Sequence, residues 1–382
     1  MTGAPYSLIL LPTLACDADC DYCFEDKSEH RLTLDQLSIV VRKVMDHMEK
    51  NHFEALSIYW QGGEVMTLPP AWFEAANAII GVMAQDRKLC VTHYLQSNML
   101  AYTEKWNGVI SEMFGNSVGT SMDYPNLHRR LKGGGPGEYE RIWTRSLRIA
   151  RDAGIEIGVI AIPNEKTLDL GAERFYSYFV DELGIRDFQV NTPFPGGAAN
   201  AVKSEFPLQL DPLTRFLVDL ADQWKDRGLA HGVRLGPFDK LLEAFTSGNR
   251  DLLCIWRHNC VNDFVCIDPR GHVAQCDCWV VGYPECRFGN LFESDTLSAL
   301  LRESAARRSL QSRPGVLIQT EDCLECDYLG FCHGGCPVRA YTVHGSLFKK
   351  DPYCGLYKSL FQKLREVPAS APRAYNSSCT VY

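Results

Sequence analysis

Three cysteines stand within eight residues of one another, in the run Cys16-Asp-Ala-Asp-Cys20-Asp-Tyr-Cys23. The run follows an apolar stretch, Leu8 to Leu14. Thiolates are the usual ligands of iron–sulfur clusters, and a cubane cluster takes four. Three thiolates leave one iron open, and an open position can bind a substrate or cofactor, whereas a structural metal site is closed. A zinc knuckle that borrows a distant fourth ligand is the alternative.

The chain of 382 residues is long enough for two or three domains and a sizeable core. Its hydrophobic share of 46% is that of an ordinary globular protein, and a net charge of −8 without a basic cluster argues against nucleic acid as a partner. Sixteen cysteines are too many for core use alone. In a secreted chain they would point to disulfides; without a signal peptide they point to metal. Leu8 to Leu14 is short and has no basic residue before it, so it reads as a buried strand, not a signal or membrane helix. The expected setting is a reducing cytoplasm, with no membrane partner.

Along the chain, strand and helix alternate. Strands are expected at Tyr6 to Leu14, Ala55 to Trp60, Cys90 to Gln96, Val118 to Met122, Ile155 to Ile162 and Phe188 to Val190. Helices are expected from a Thr33 cap to Asn51, at Pro70 to Lys88, at Glu138 to Ala153 and near Glu173 to Leu183. Such units predict a parallel sheet with helices outside, here an open six-unit barrel with its site at the C-terminal ends of the strands. A loop from Pro193 to Gly197 and helices at Asp211 to Arg227 and Asp239 to Ser247 read as a connector. Residues 254 to 354 hold eleven of the cysteines with little regular periodicity, as expected of a segment folded around metal. The expected division is a barrel at 1–200, a helical connector at 201–253, a cysteine-rich domain at 254–360 and a tail at 361–382.

The cysteine triplet followed by Phe24, with Gly62-Gly63-Glu64 after the second strand, resembles the radical S-adenosylmethionine (SAM) superfamily. By itself the second motif would be a plain glycine turn. The resemblance implies that Cys16, Cys20 and Cys23 hold a 4Fe–4S cluster whose open iron binds SAM. It implies that the cluster, once reduced by a donor such as flavodoxin or ferredoxin, cleaves SAM to a 5′-deoxyadenosyl radical that abstracts hydrogen. Gly62, Gly63 and Glu64 would hold the SAM amino group. Val65 stands where the family has proline, so a less rigid loop is expected. Ser97, Asn98, Ser121 and Asp123 would contact the SAM ribose and carboxylate, and Arg129, Arg130 and Arg141 are candidates for the carboxylate, although a solvated helix face explains each arginine equally well.

A second constellation lies near the C-terminus. Cys254 and Cys260 precede an expected hairpin, Phe264 to Ala274, turning at Pro269-Arg270-Gly271, and Cys276 follows it. Then come Cys323, Cys326, Cys332, Cys336 and Cys354. These eight thiols could fill two four-thiolate sites, for iron–sulfur clusters or for zinc. Their spacing resembles the SPASM domain of peptide- and protein-modifying radical SAM enzymes. That resemblance implies two auxiliary 4Fe–4S clusters, one on Cys254, Cys260, Cys276 and Cys336, the other on Cys323, Cys326, Cys332 and Cys354, so three clusters in all. Cys90, Cys266, Cys278 and Cys286 read as packed thiols.

Asp277 follows Cys276 directly, as in anaerobic sulfatase-maturating enzymes, where the resemblance makes it the base that takes a substrate proton; a turn cap is the other reading. The resemblance as a whole implies an enzyme that abstracts hydrogen from a peptide or protein residue and oxidises or crosslinks it. Maturation of a ribosomally made peptide is the leading expectation, and formylglycine formation on a sulfatase is the second. The start of the chain close to the first strand and Cys276-Asp277 favour the second; Val65 and Cys278 count against it. An electron-transfer protein would have no use for the Gly-Gly-Glu loop.

Overall fold

The computed structural model describes residues 5–194, 210–248, 252–262 and 264–367. Most of the loop expected after Pro193, the expected tail from Pro368 and Cys379 lie outside them. Strands β1 (Tyr6–Leu10), β2 (Ala55–Trp60) and β3 (Cys90–Leu95) pair in parallel, as do β4 (Ser117–Ser121), β5 (Glu156–Ala161), β6 (Asp187–Val190) and β7 (Arg234–Gly236). A parallel bridge from Gln96 to Gly119 joins the two runs into one curved sheet. This is the partial barrel expected from the alternating units.

Among the described residues, four further strands extend the six expected ones, one at one edge and three at the other. β7 pairs with β6 inside the stretch read as a helical connector. β8 (Phe264–Ile267) pairs in parallel with β1 and in antiparallel with β9 (His272–Ala274), which pairs with β10 (Gly289–Asn290). The cysteine-rich hairpin is therefore part of the barrel's own sheet. That segment is also more helical than its weak periodicity implied, with helices at Asp277–Gly282, Leu297–Glu303, Ala305–Thr320, Pro337–His344 and Cys354–Arg365. A short helix at Asn107–Met113, absent from the sequence reading, follows Ser97-Asn98.

Local chemistry explains the elements. β1 buries Tyr6, Leu8 and Leu10 under the helices, while Ser7 and Ile9 line the barrel's cavity. It ends at Leu10, earlier than expected: Leu11 N–H makes the last bond to β8, at Ile267 O, and by Leu14 the chain has turned to bond His30 O. Helix Leu34–Lys50 begins in a reciprocal cap, in which Gln36 N–H donates to Thr33 Oγ1 (3.1 Å) and Thr33 N–H to Gln36 Oε1 (3.0 Å). Its stripe Leu37, Val40, Val41, Val44, Met45 and Met48 is buried on the sheet. Replacing Thr33 with Ala leaves that helix end without its cap. The expected cost is about 1 kcal/mol, read from urea unfolding; an unchanged midpoint would show the cap to be dispensable.

Candidate active site

The segments after the first four strands converge. Gln61 N–H donates to Leu10 O, Gly63 N–H to Thr13 O (3.1 Å) and Glu64 N–H to Ala15 O (2.8 Å), so the loop after β2 lies along the chain that leads into Cys16. This explains the two glycines: a Cβ on Gly62 would meet the Thr13 carbonyl, and one on Gly63 the carbonyls of Leu14 and Ala15. The close approach is to protein backbone. Val65, in the place of the family's proline, is packed inward. It is fully buried, and Glu64 caps the turn that follows by accepting from Met66 N–H (2.8 Å).

The Glu64 carboxylate is buried and accepts two more hydrogen bonds, from Ser97 Oγ (2.7 Å) and Asn98 N–H (2.6 Å), while Asn98 Nδ2 donates to Asp17 (2.7 Å). Ser97 and Asn98 thus tie β3's end to the cysteine loop. Burial, with Asp17 nearby, pushes the Glu64 carboxyl up to about 7, against these hydrogen bonds. Ser121 accepts from Gln96 (3.1 Å) at the same rim. Asp123 lies deeper and does not line the cavity. It is 1% exposed, accepts from Tyr22 Oη and Ile162 N–H, and faces Arg129 Nε at 3.0 Å in an ion pair bent off the hydrogen-bond line. Among the three candidate arginines, Arg129 reaches the cavity. Arg130 pairs with Asp21 (2.8 Å), and Arg141 is exposed beside Glu138.

One cavity of about 490 Å³ is lined by Cys16, Cys20 and Cys23 of the first loop and by Cys254, Cys260, Cys276, Cys278 and Cys336 of the C-terminal segment. A second, of about 20 Å³, is lined by Cys323, Cys326, Cys332 and Cys354. Every cysteine among the described residues is free of disulfides. These sulfur donors suit iron–sulfur clusters: three thiols in one loop, five C-terminal thiols at the same cavity, Cys278 among them, and four at the small one. Burial and mutual repulsion push the thiols of Cys254 and Cys332 up to about 12 and those of Cys23 and Cys336 to about 11. Such groups become thiolates only with a strong cation among them.

Asp277 faces the large cavity, where Gln61 Nε2 donates to its Oδ2 (3.0 Å) and Cys278 N–H to its Oδ1 (2.9 Å). Burial raises its carboxyl, opposed by those hydrogen bonds. Cys278 is not packed away: its sulfur, that of Cys276 and an Asp277 oxygen lie within 4.8 Å of one another, and it lines the cavity. Cys266 and Cys286 are buried as expected, but Cys90 is exposed, on the solvent face of β3's first residue. The sequence reading passed over three polar residues. Gln61 precedes the glycine pair and holds Asp277. Gln275 is buried and donates to Cys260 O (2.6 Å), tying two thiol positions together. Glu25 follows the triplet, lines the cavity and is pushed up to about 8 by burial and by Asp277. Adjacency to the motifs was the only signal for them.

The fold is that of radical SAM enzymes with a SPASM domain. No family profile matches the chain. It is 20% identical over 352 residues to the serine-type anaerobic sulfatase-maturating enzyme of Bacteroides thetaiotaomicron, covering 86% of this chain and 81% of that one. A solved structure of native anSMEcpe with bound AdoMet and Cp18Cys peptide superposes with a TM-score of 0.78 at 22% identity, covering 94% of this chain and 96% of that one. Streptococcus suis SuiB bound to precursor peptide SuiA gives a TM-score of 0.61 at 18% identity, covering 92% and 76%. The chain is similar over most of its length to radical SAM/SPASM maturases. No helix among the described residues is long and apolar enough to cross a membrane.

Glu64 gives a pH test on the cluster-free protein. The folded carboxyl holds its proton to about pH 7, against 4.5 for an ordinary one. Between those values the native state binds more protons than the unfolded chain, so this group's contribution to stability falls as pH rises. Glu64→Gln removes the effect. The variant should gain on the parent by up to about 3 kcal/mol from pH 4.5 to 7.5 in urea titrations. Parallel pH curves would contradict the shift.

Proposed function

We propose that the protein is a radical SAM/SPASM enzyme that takes a hydrogen atom from a residue of a peptide or protein and oxidises or crosslinks it. One observation carries the reading: a single cavity joins the thiols of Cys16, Cys20 and Cys23, the carboxylate of Asp277 and the thiols of Cys254, Cys260, Cys276 and Cys336. With clusters and SAM bound, that chemistry is a 5′-deoxyadenosyl radical at one wall and an electron acceptor at the other. The Gly62-Gly63-Glu64 loop with Ser97 and Asn98 forms the rim that receives SAM, and Arg129 and Ser121 reach the same space. Asp277 Oδ2 takes the proton that leaves the substrate, and Gln61 orients it. The third thiol set, Cys323, Cys326, Cys332 and Cys354, holds a cluster away from the substrate cavity.

Maturation of a ribosomal peptide is the finer reading, supported by the likeness to SuiB, whose structure holds a precursor peptide. Formylglycine formation on a sulfatase is the second, favoured by Cys276-Asp277 and by the fuller superposition on anSMEcpe. Incubation with a peptide encoded beside the gene, or with a sulfatase peptide, and mass analysis of the product separates them.

Anaerobic reconstitution should load about twelve irons and as many sulfides per chain; zinc in the C-terminal sites would remove the auxiliary clusters from the account. Replacing Cys16, Cys20 and Cys23 together with Ala should abolish 5′-deoxyadenosine formation under dithionite, and parental yield would exclude this triplet. Asp277→Asn should still cleave SAM but form product about a hundredfold to ten-thousandfold more slowly. Product at the parental rate, with iron content intact, would take Asp277 out of the mechanism.

A further inference from the structure

Two arginines are buried among the C-terminal cysteines, Arg313 at 5% exposure and Arg339 at 7%, near the buried carboxylate of Asp351; Asp268, also buried, pairs with Arg270 and His272. Asp351 is committed to Arg339's side. It lies 3.9 Å from the Arg339 guanidinium and accepts from Tyr357 Oη (3.0 Å), which in turn accepts from Arg339 (2.6 Å). It also accepts from Cys336 N–H (2.8 Å). Arg313 has no such partner among the described residues. Its hydrogen bonds go to neutral carbonyls: Nε donates to Leu347 O (2.7 Å), and Nη2 to Gly334 O (3.0 Å) and Lys349 O (3.1 Å). Arg313 is thus a buried cation bonded to neutral carbonyls, which is costly unless anions lie close.

The anions are the thiol positions. The acidic groups that bear most on Arg313 are Cys336 and Cys260 of one set, Asp351, and Cys332 of the other. Its hydrogen bond to the Gly334 carbonyl, in the three-residue link between Cys332 of one set and Cys336 of the other, puts Arg313 where the two sets meet. Gly334 (φ 85°) and Gly335 (φ 72°) give that link a left-handed path past Leu317 and Asp351.

We propose that Arg313 is a positioning residue that sets the reduction potential of both auxiliary centres. This rests on the proposed cluster assignment. A cluster on four thiolates is negative and gains one further negative charge when it accepts an electron. A fixed buried cation favours the reduced form, so it raises the potential, and net charge is one of the protein's main levers on that quantity. Sharing the cation between the sets keeps the two potentials moving together.

The test uses full-length protein reconstituted anaerobically in a background lacking Cys16, Cys20 and Cys23, so that only auxiliary centres give a signal. Potentials are read by electron paramagnetic resonance in a redox titration, with iron content measured in parallel. Arg313→Gln at full iron should lower the reduced-to-oxidised ratio about tenfold at fixed potential, about 59 mV for a one-electron couple. Arg313→Lys, which keeps the charge, should stay near the parent. If Gln loses iron while Lys keeps it at the parental potential, the charge requirement stands. An unchanged potential in Arg313→Gln at full iron overturns the proposal, as does an equal shift in Lys and Gln or loss of iron from both. A background protein that binds zinc or no metal at the C-terminal sites overturns the cluster assignment instead.

Discussion

The backbone pairing of residues 13–15 with the loop after β2 holds the site together. Gly63 and Glu64 donate to the carbonyls of Thr13 and Ala15, and the absence of side chains on Gly62 and Gly63 is what permits that distance. The same contact aims the Cys16–Cys23 loop over the barrel mouth and brings Glu64 to Ser97 and Asn98 at the end of β3. One residue thereby fastens three strand ends, its N–H to the chain after β1 and its carboxylate to the end of β3, and the glycines serve packing between loops before they serve any ligand. Where the family has a proline, the loop has the buried Val65 and the Glu64 cap on the turn that follows.

Electrostatics arranges the rest. Buried thiols are tolerable as neutral groups, and their conversion to thiolates needs cations. The chain supplies some of that charge: Arg129 lies near Cys20, Arg339 near Cys336 and Arg313 near Cys260, Cys332 and Cys336. Arg129 is itself balanced by Asp123, and Arg339 by Asp351, so each guanidinium is fixed in place and only part of its charge is spent on the thiols. Asp123 is better understood as the support of Arg129 and Tyr22 than as a ligand contact.

Elements set by local pattern were legible in the sequence. The Thr33 cap with its apolar stripe and the strand from Ala55 to Trp60 needed no distant partner to be identified. What depended on distant pairing was not. Phe264 to Ile267 reads as one arm of a hairpin, and nothing local says that its other edge meets β1. Arg129 and Arg130 are adjacent and chemically alike; only Asp123 under one and Asp21 beside the other separate them. Cys90 looks like a core thiol because its strand is apolar, yet the first residue of β3 faces out. Gln61, Gln275 and Glu25 carry no periodic signal, and the cavity alone reveals them.

The β8–β1 pairing has a chemical consequence. Because the hairpin is bonded to the first barrel strand, Cys276 and Asp277 are held in register with the strand that leads to the cysteine triplet. Gln61, at the end of the strand on β1's other side, then reaches Asp277. For the base proposed at Asp277 this matters: on a separately hinged domain it would shift against the barrel with every domain motion, and a reacting group misplaced by 1 Å can cost about a hundredfold in rate. Following directly from β9, the turn that carries Cys276 and Asp277 is anchored to the barrel's own sheet by hydrogen bonds between strands, which restricts that freedom.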